Sequence, residues 1–241
     1  MSLFTPAAPQ ARLTLRVLAH LLRYPDAELR SHLGEMREAL LSEAALPAKR
    51  VAELEALLDR LSGLPALTVE GDYVELFDRG RATALHLFEH VHGDSRERGP
   101  AMIDLIQTYE KAGLLLDPDE LPDHLPIVLE FASTQPPAQA REFLSETAHI
   151  VRVIFSGLLK RQSPYASVLA AVLELSGEKA EPVPVAAEPD IDESWAEPAV
   201  FNGCSTEGQA SPGQPQPMRE QTIRVVRRAS SSTDHLQGTR T

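Results

Sequence analysis

The sequence predicts an all-α protein: one helical-bundle domain of about seven to nine helices over residues 1–176, then a disordered, Pro-rich acidic tail over 177–241. Three observations carry this. Phe143, Leu144, Thr147, Ile150, Val151, Ile154, Phe155, Leu158 and Leu159 recur as one wide stripe at the 3.6-residue period. No run of β-branched residues alternates over the length of a strand. Beyond Gly177, seven of 65 residues are Pro and no period survives, so too little apolar surface is on offer to offset the entropy of ordering.

Taken in order, Leu13, Val17, Leu18, Leu21 and Leu22 mark a first helix that Pro25 limits. Two further helices are expected over about 26–42 and 48–62. Asp94-Ser95-Arg96-Glu97 has the form of an N-cap followed by Glu at the third position. Asp117-Pro118-Asp119-Glu120 adds Pro at the first helical position, and Ser163-Pro164 offers another such start. The stripe from Phe143 to Leu159 lies between these last two signals.

Charge narrows the partners. The chain has 23 Lys+Arg against 35 Asp+Glu, a formal charge of −12. Six basic and ten acidic residues fall in 177–241, leaving −8 on the predicted domain. Such a balance argues against nucleic acid, whose phosphates require clustered Lys and Arg, and against an anionic membrane surface. The longest stretch without a charge, Gln162–Leu173, has 12 residues, far short of the ~20 that a spanning helix needs. No secretory signal is expected from Met1-Ser2-Leu3-Phe4-Thr5-Pro6, and the single cysteine, Cys204, permits no disulfide within the chain, so a cytoplasmic location is expected.

Three runs bear on chemistry. His86-Leu87-Phe88-Glu89-His90 is an H-x-x-E-H pattern, which on a helix sets two imidazoles one turn apart beside a carboxylate, the arrangement of an inverted zincin. A zinc-dependent peptidase using His86, Glu89 and His90 is one reading. A hydrogen-bonded helix end closed by Gly93 is the other. Glu120-Leu121-Pro122-Asp123-His124-Leu125-Pro126 pairs an acid with an imidazole but brings no nucleophile, and reads either as an exposed cap or as a hinge that binds a partner. Tyr73, Leu76 and Phe77 share a helix face before Asp78, Arg79 and Arg81, as core or as one wall of a peptide groove. In the tail, Trp195 sits between Ile191 and Phe201 as either an isolated anchor or part of a spacer. Thr222–Arg228 is a short basic patch.

These residues carry a resemblance. Tyr73 to Arg81, with Leu85 to Arg96, and Leu121-Pro122-Asp123-His124-Leu125-Pro126 with Leu129-Glu130-Phe131, resemble the nitrate reductase molybdenum-cofactor assembly chaperones. The likeness covers essentially all of 10–176, and Trp195 to Phe201 resembles a segment of such proteins more weakly. More distantly the chain is similar to the all-helical chaperones of trimethylamine-oxide and dimethyl-sulfoxide reductases. That wider class has a Tyr-x-x-Leu-Phe element, matched by Tyr73, Leu76 and Phe77, and a Pro-x-Asp-His element. Asp123 and His124 match the latter, with Leu121 where its Pro stands and Pro122 one place later. The resemblance implies a non-enzymatic chaperone, without a metal or cofactor of its own. Its partner would be the N-terminal segment of the apo catalytic (alpha) subunit of nitrate reductase, with the molybdenum cofactor delivery machinery as a further partner. Tyr73, Leu76, Phe77, Asp78, Leu121, Pro122, Asp123 and His124 would form the client-peptide site. The alternative client is a different molybdoenzyme.

Overall fold

A computed structural model describes residues 10–93 and 95–184. The Trp195 segment, the Thr222–Arg228 patch, Cys204 and nearly all of the predicted tail lie outside these residues. Among the described residues the chain forms ten α-helices and no strand. In order they are α1 (Arg12–Leu21), α2 (Ala27–Ser31), α3 (Leu33–Glu43), α4 (Ala48–Gly63), α5 (Ala66–Tyr73), α6 (Leu87–His92), α7 (Arg98–Lys111), α8 (Leu125–Thr134), α9 (Pro137–Lys160) and α10 (Ala166–Ser176). Between α5 and α6 lie a π-helical turn, Val74–Asp78, and a 3-10 turn, Arg81–Thr83.

The core is built around α10, whose residues from Ala166 to Leu173 are buried all round. Helix α9 packs along it through Leu144, Val151, Ile154, Phe155 and Leu158, while Leu159, at the edge of the predicted stripe, is 41% exposed. On the other flank α1 packs against α8 and α3, burying Leu15, Leu18, Leu21 and Leu22. Fully burying each such leucine is worth about 1.5–3 kcal/mol, so this shared core outweighs anything local. A smaller satellite of Tyr109, Ile127 and Phe131 ties α7 to α8.

Two expected elements differ. The single helix over 26–42 is broken at His32, where the backbone turns through a 3-10 bond from His32 N–H to the Leu29 carbonyl (3.1 Å). Arg30 explains the break, since its guanidinium donates to the carbonyls of Leu61 (3.0 Å) and Leu64 (2.7 Å) at the end of α4. The Asp117-Pro118 start makes only one turn. Asp117 Oδ1 accepts from the Asp119 N–H (3.1 Å), and the next helix begins at Leu125. Pro122 stands in the way, lacking an N–H and disfavouring helical backbone at Leu121.

The starts expected at Asp94–Glu97 and Ser163-Pro164 come later, α7 at Arg98 after Glu97 and α10 at Ala166 after Tyr165, neither with a side-chain cap on its N-cap residue. Asp26 caps α2 by accepting from the Leu29 N–H (2.8 Å). Gly93 (φ 51°) closes α6, with its N–H donating to the Glu89 carbonyl (3.2 Å). Among the described residues, no helix is long and apolar enough to cross a membrane.

Candidate functional site

A groove of about 960 Å³ opens beside α1. Helix α1 lines it with Leu13, Arg16, Val17 and His20, and the exit from α1 adds Arg23 and Tyr24. Leu29 of α2 and Met36 and Ala39 of α3 supply further apolar surface. Opposite chain segments contribute Tyr73, Asp78, His86, Glu120 and His124. Both sequence runs singled out for a partner therefore reach one concave surface, joined there by the His-rich run.

The Tyr73 run is held by a change of helix type. From Val74 to Asp78 the backbone forms a π turn, closed by the Arg79 N–H on the Val74 carbonyl (3.2 Å). The carbonyls that an α-helix would use find other partners. Arg161 donates to the carbonyl of Glu75 (3.1 Å), and the Thr83 hydroxyl donates to that of Leu76. Gly80 makes this possible, because a Cβ there would lie 2.5 Å from the Thr83 hydroxyl oxygen and 3.0 Å from the Leu76 carbonyl oxygen. Single π turns inside helices recur at functional sites.

Tyr73 itself is almost wholly buried. Its hydroxyl donates to the Leu22 carbonyl (2.8 Å), and burial pushes its pKa up, keeping it a neutral donor. Its ring meets Tyr24, Phe77 and Tyr165 at centroid separations of 5.7, 4.8 and 6.3 Å, an aromatic cluster that backs the groove. Phe77 and the half-buried Leu76 belong to that backing, while Asp78 is exposed at the rim.

Asp123 lies deepest among the polar residues of its run. Fully buried, it accepts through Oδ2 from the Phe88 N–H (3.0 Å), capping α6 from a distant part of the chain. Its Oδ1 is 3.5 Å from His86 Nδ1, and Arg98 approaches Oδ2 at 3.9 Å. The backbone joins the same two places: Leu87 N–H donates to the Asp123 carbonyl (3.0 Å) and Leu125 N–H to the Leu85 carbonyl (2.9 Å). His86 and His124 thus sit side by side, rings stacked 24° from parallel. Only their imidazoles face the groove, so Asp123 touches it through His86. Leu121 is 47% exposed, and Pro122 is buried with its carbonyl accepting from the Tyr109 hydroxyl (2.8 Å).

The two imidazoles titrate in opposite directions. The Asp123 carboxylate, 3.5 Å from its Nδ1, raises His86 above its usual value, against the desolvation that opposes it. Burial, and then the charge of His86, lower His124 to about 4. One ring is thus drawn toward the charged form and its neighbour is held neutral.

The metal reading of His86, Glu89 and His90 does not match this geometry. His86 precedes α6 in extended backbone (φ −86°, ψ 106°), so the two imidazoles do not share a helix face. His90 Nε2 instead lies 2.9 Å from the Ala84 carbonyl. Among the described residues, no group of three His, Cys, Asp or Glu is placed to hold a metal ion.

Arg16, His20, Arg23 and Tyr24 line the groove although no motif marked them. Leu13, Arg16 and His20 do recur at i, i+3 and i+7, an outward face of α1 beside buried Val17. Leu13 is 43% exposed, so the apolar residues of this helix serve two surfaces.

The family model for the nitrate reductase delta subunit matches residues 26–171. The chain belongs to this family. Over 162 residues it is 44% identical to the nitrate reductase molybdenum cofactor assembly chaperone NarJ of Escherichia coli (strain K12), covering 67% of this chain and 69% of that protein. Against the Bacillus subtilis (strain 168) protein named probable nitrate reductase molybdenum cofactor assembly chaperone NarJ, identity is 35% over 162 residues, or 67% and 87% of the two chains. Its fold is similar to that of a redox enzyme maturation protein from Archaeoglobus fulgidus, with a TM-score of 0.50 and 20% identity over 73% of this chain and 99% of that one. In this delta-subunit-family chain, the matched span holds the π turn, the stacked histidines and buried Asp123, while the α1 side of the groove precedes it.

Proposed function

We propose that this chain is a dedicated assembly chaperone for a nitrate reductase. It binds the N-terminal segment of the apo catalytic subunit in the cytoplasm, supports molybdenum cofactor insertion, and leaves before the complex docks at the membrane. Close relatives named as nitrate reductase molybdenum cofactor assembly chaperones support this reading. The observation that carries the peptide-binding part is the groove of about 960 Å³ on which the two family runs converge.

The groove suits a short amphipathic helix. Leu13, Val17, Leu29 and Met36 offer an apolar surface for one helical face. Asp26, Glu28, Glu35, Asp78 and Glu120 surround it, so basic residues of a leader are attracted by the groove and by the chain's −12. Tyr73 and Phe77 act from behind, fixing the shape, and Asp123 acts by orienting His86. A peptide that orders as it binds gives up part of its interaction energy, which keeps affinity moderate and release possible.

Isothermal titration of the full chain with a synthetic peptide of the catalytic subunit's N-terminal residues tests the proposal. Saturable one-to-one binding, weakened by Leu13→Asp at the exposed edge of α1, is expected. No heat and no competition up to high micromolar peptide would overturn it. Binding to the leader of another molybdoenzyme alone would assign a different client.

A further inference from the structure

A second pocket, of about 410 Å³, lies where the start of α1 meets the connection between α8 and α9. It shares no lining residue with the groove, and its chemistry is opposite. Five carboxylate residues line the groove. None lines this pocket, in a chain whose formal charge is −12. Two arginines do, Arg12 from α1 and Arg141 from α9, and neither makes an ion pair or hydrogen bond among the described residues.

Arg141 is held in place without a carboxylate partner. Gly177, left-handed at φ 87° and ending α10, lies against its guanidinium. A Cβ at that position would fall 2.1 Å from one guanidinium nitrogen and 2.6 Å from the central carbon. Glycine therefore makes room for the arginine at the pocket wall. The start of α9 adds to the same field, since no side chain caps it and no acidic residue lies in its first turn. Glu43, which approaches the start of α1, is already engaged by the N–H groups of Leu13 (3.0 Å) and Thr14.

We propose that this pocket is a second peptide-binding site, built for an acidic segment. Arg12 and Arg141 receive a carboxylate, and an adjoining aliphatic side chain packs on Pro136, Pro137 and Leu144. Guanidinium forks bind carboxylate or phosphate through paired, charge-assisted hydrogen bonds. The rest of the lining favours a peptide over a nucleotide, because it includes no aromatic ring to stack on a base and no carboxylate to hold a ribose hydroxyl. The site stands independently of the leader-binding groove, and would give the chaperone a hold on a partner of the opposite charge.

Fluorescence anisotropy of a rhodamine-labelled Asp-Glu-Leu-Asp-Glu-Leu peptide, titrated with the full chain at low salt, tests this. The net charge disfavours such a peptide, and the basic patch at Thr222–Arg228 is a competing place for it, so the pocket's own variants assign the site. Arg12→Glu and Arg141→Glu are each expected to weaken binding by about tenfold. Both side chains are exposed, so circular dichroism should show the fold unchanged. Arg141→Lys should weaken it less, keeping the charge but losing the fork. A peptide with Lys in place of its acids should not bind, and Asp78→Lys in the groove should leave acidic-peptide affinity as it was. Binding indifferent to both reversals, no binding at millimolar peptide, or full displacement by ADP at concentrations below the peptide's own Kd would each overturn the proposal. Titration of the leader peptide in the same variants reads the groove separately.

Discussion

The imidazoles of His86 and His124 stack with their centroids 4.9 Å apart, and Asp123 lies beside only the first of them. This asymmetry has a consequence for acid stability. His124 is lowered to about 4 chiefly by burial, so the unfolded chain takes up its proton near 6.5 while the folded chain does not. Its contribution is full above 6.5 and is lost as pH falls from 6.5 toward 4, by about 3 kcal/mol at most. His86, raised by Asp123, works the other way. Its contribution is present below 6.5 and disappears as pH rises through its folded value. Urea unfolding of wild type and His124→Gln between pH 4 and 7.5 checks this. The variant should lose less stability on acidification, and equal slopes in the two proteins would contradict the assignment.

Asp123 separates structural from electrostatic roles. Asp123→Ala strips the cap from α6, leaving the Phe88 N–H without its buried acceptor, and removes the charge beside His86, a loss of about 2–4 kcal/mol. Asp123→Asn keeps a carbonyl for Phe88 but removes the charge beside His86. It should therefore recover part of the stability while moving the His86 titration, followed by NMR, down toward its ordinary value. If Asn restores both, the charge has no special part in holding the ring.

Much of the fold was readable because it rests on period and caps. The stripe of α9 from Leu144 to Leu158 and the Gly93 stop of α6 depend on residues near in sequence. The break at His32 and the π turn were not readable, because distant residues decide them. Arg30 reaches the end of α4, and Arg161 satisfies the carbonyl left free in the π turn. The same holds for the candidate site. Sequence placed Tyr73, Asp78 and His124 among its residues, yet the partnership of His86 with Asp123 joins positions 37 apart. Arg16 and His20 escaped notice because a helix with one clear buried face does not advertise a second.

Gly157 offers a test of how the π turn is carried. A Cβ on this residue of α9 would lie 2.9 Å from the Ala82 carbonyl oxygen and 3.2 Å from a Thr83 methyl. The contact with Ala82 is with backbone, which cannot swing aside. Gly157→Ala should therefore push the 81–83 turn off α9 and cost about 1–3 kcal/mol, outweighing the gain of helix propensity from alanine. Gly71→Ala is the control, since its Cβ would meet nothing within 4 Å. That change in α5 should be neutral or stabilising in thermal melts.

Tyr73 and Asp78 line the same groove but should fail in different ways. Tyr73→Phe leaves the Leu22 carbonyl without its buried donor, at a cost of about 1–2 kcal/mol, while keeping the ring that supports Phe77 and Tyr165. Leader affinity should then change little at temperatures where the protein is folded. Tyr73→Ala removes the ring, should cost about 3–5 kcal/mol, and should reduce affinity by collapsing the backing of the groove. Asp78→Lys touches neither core nor backbone, so melting should be unaffected. A basic leader should bind it several-fold more weakly at low salt, with the difference shrinking as ionic strength rises. Calorimetric titrations of the three variants at two salt concentrations distinguish shape from charge. A salt-independent loss in Asp78→Lys would mean that the aspartate holds the groove's form rather than attracting its occupant.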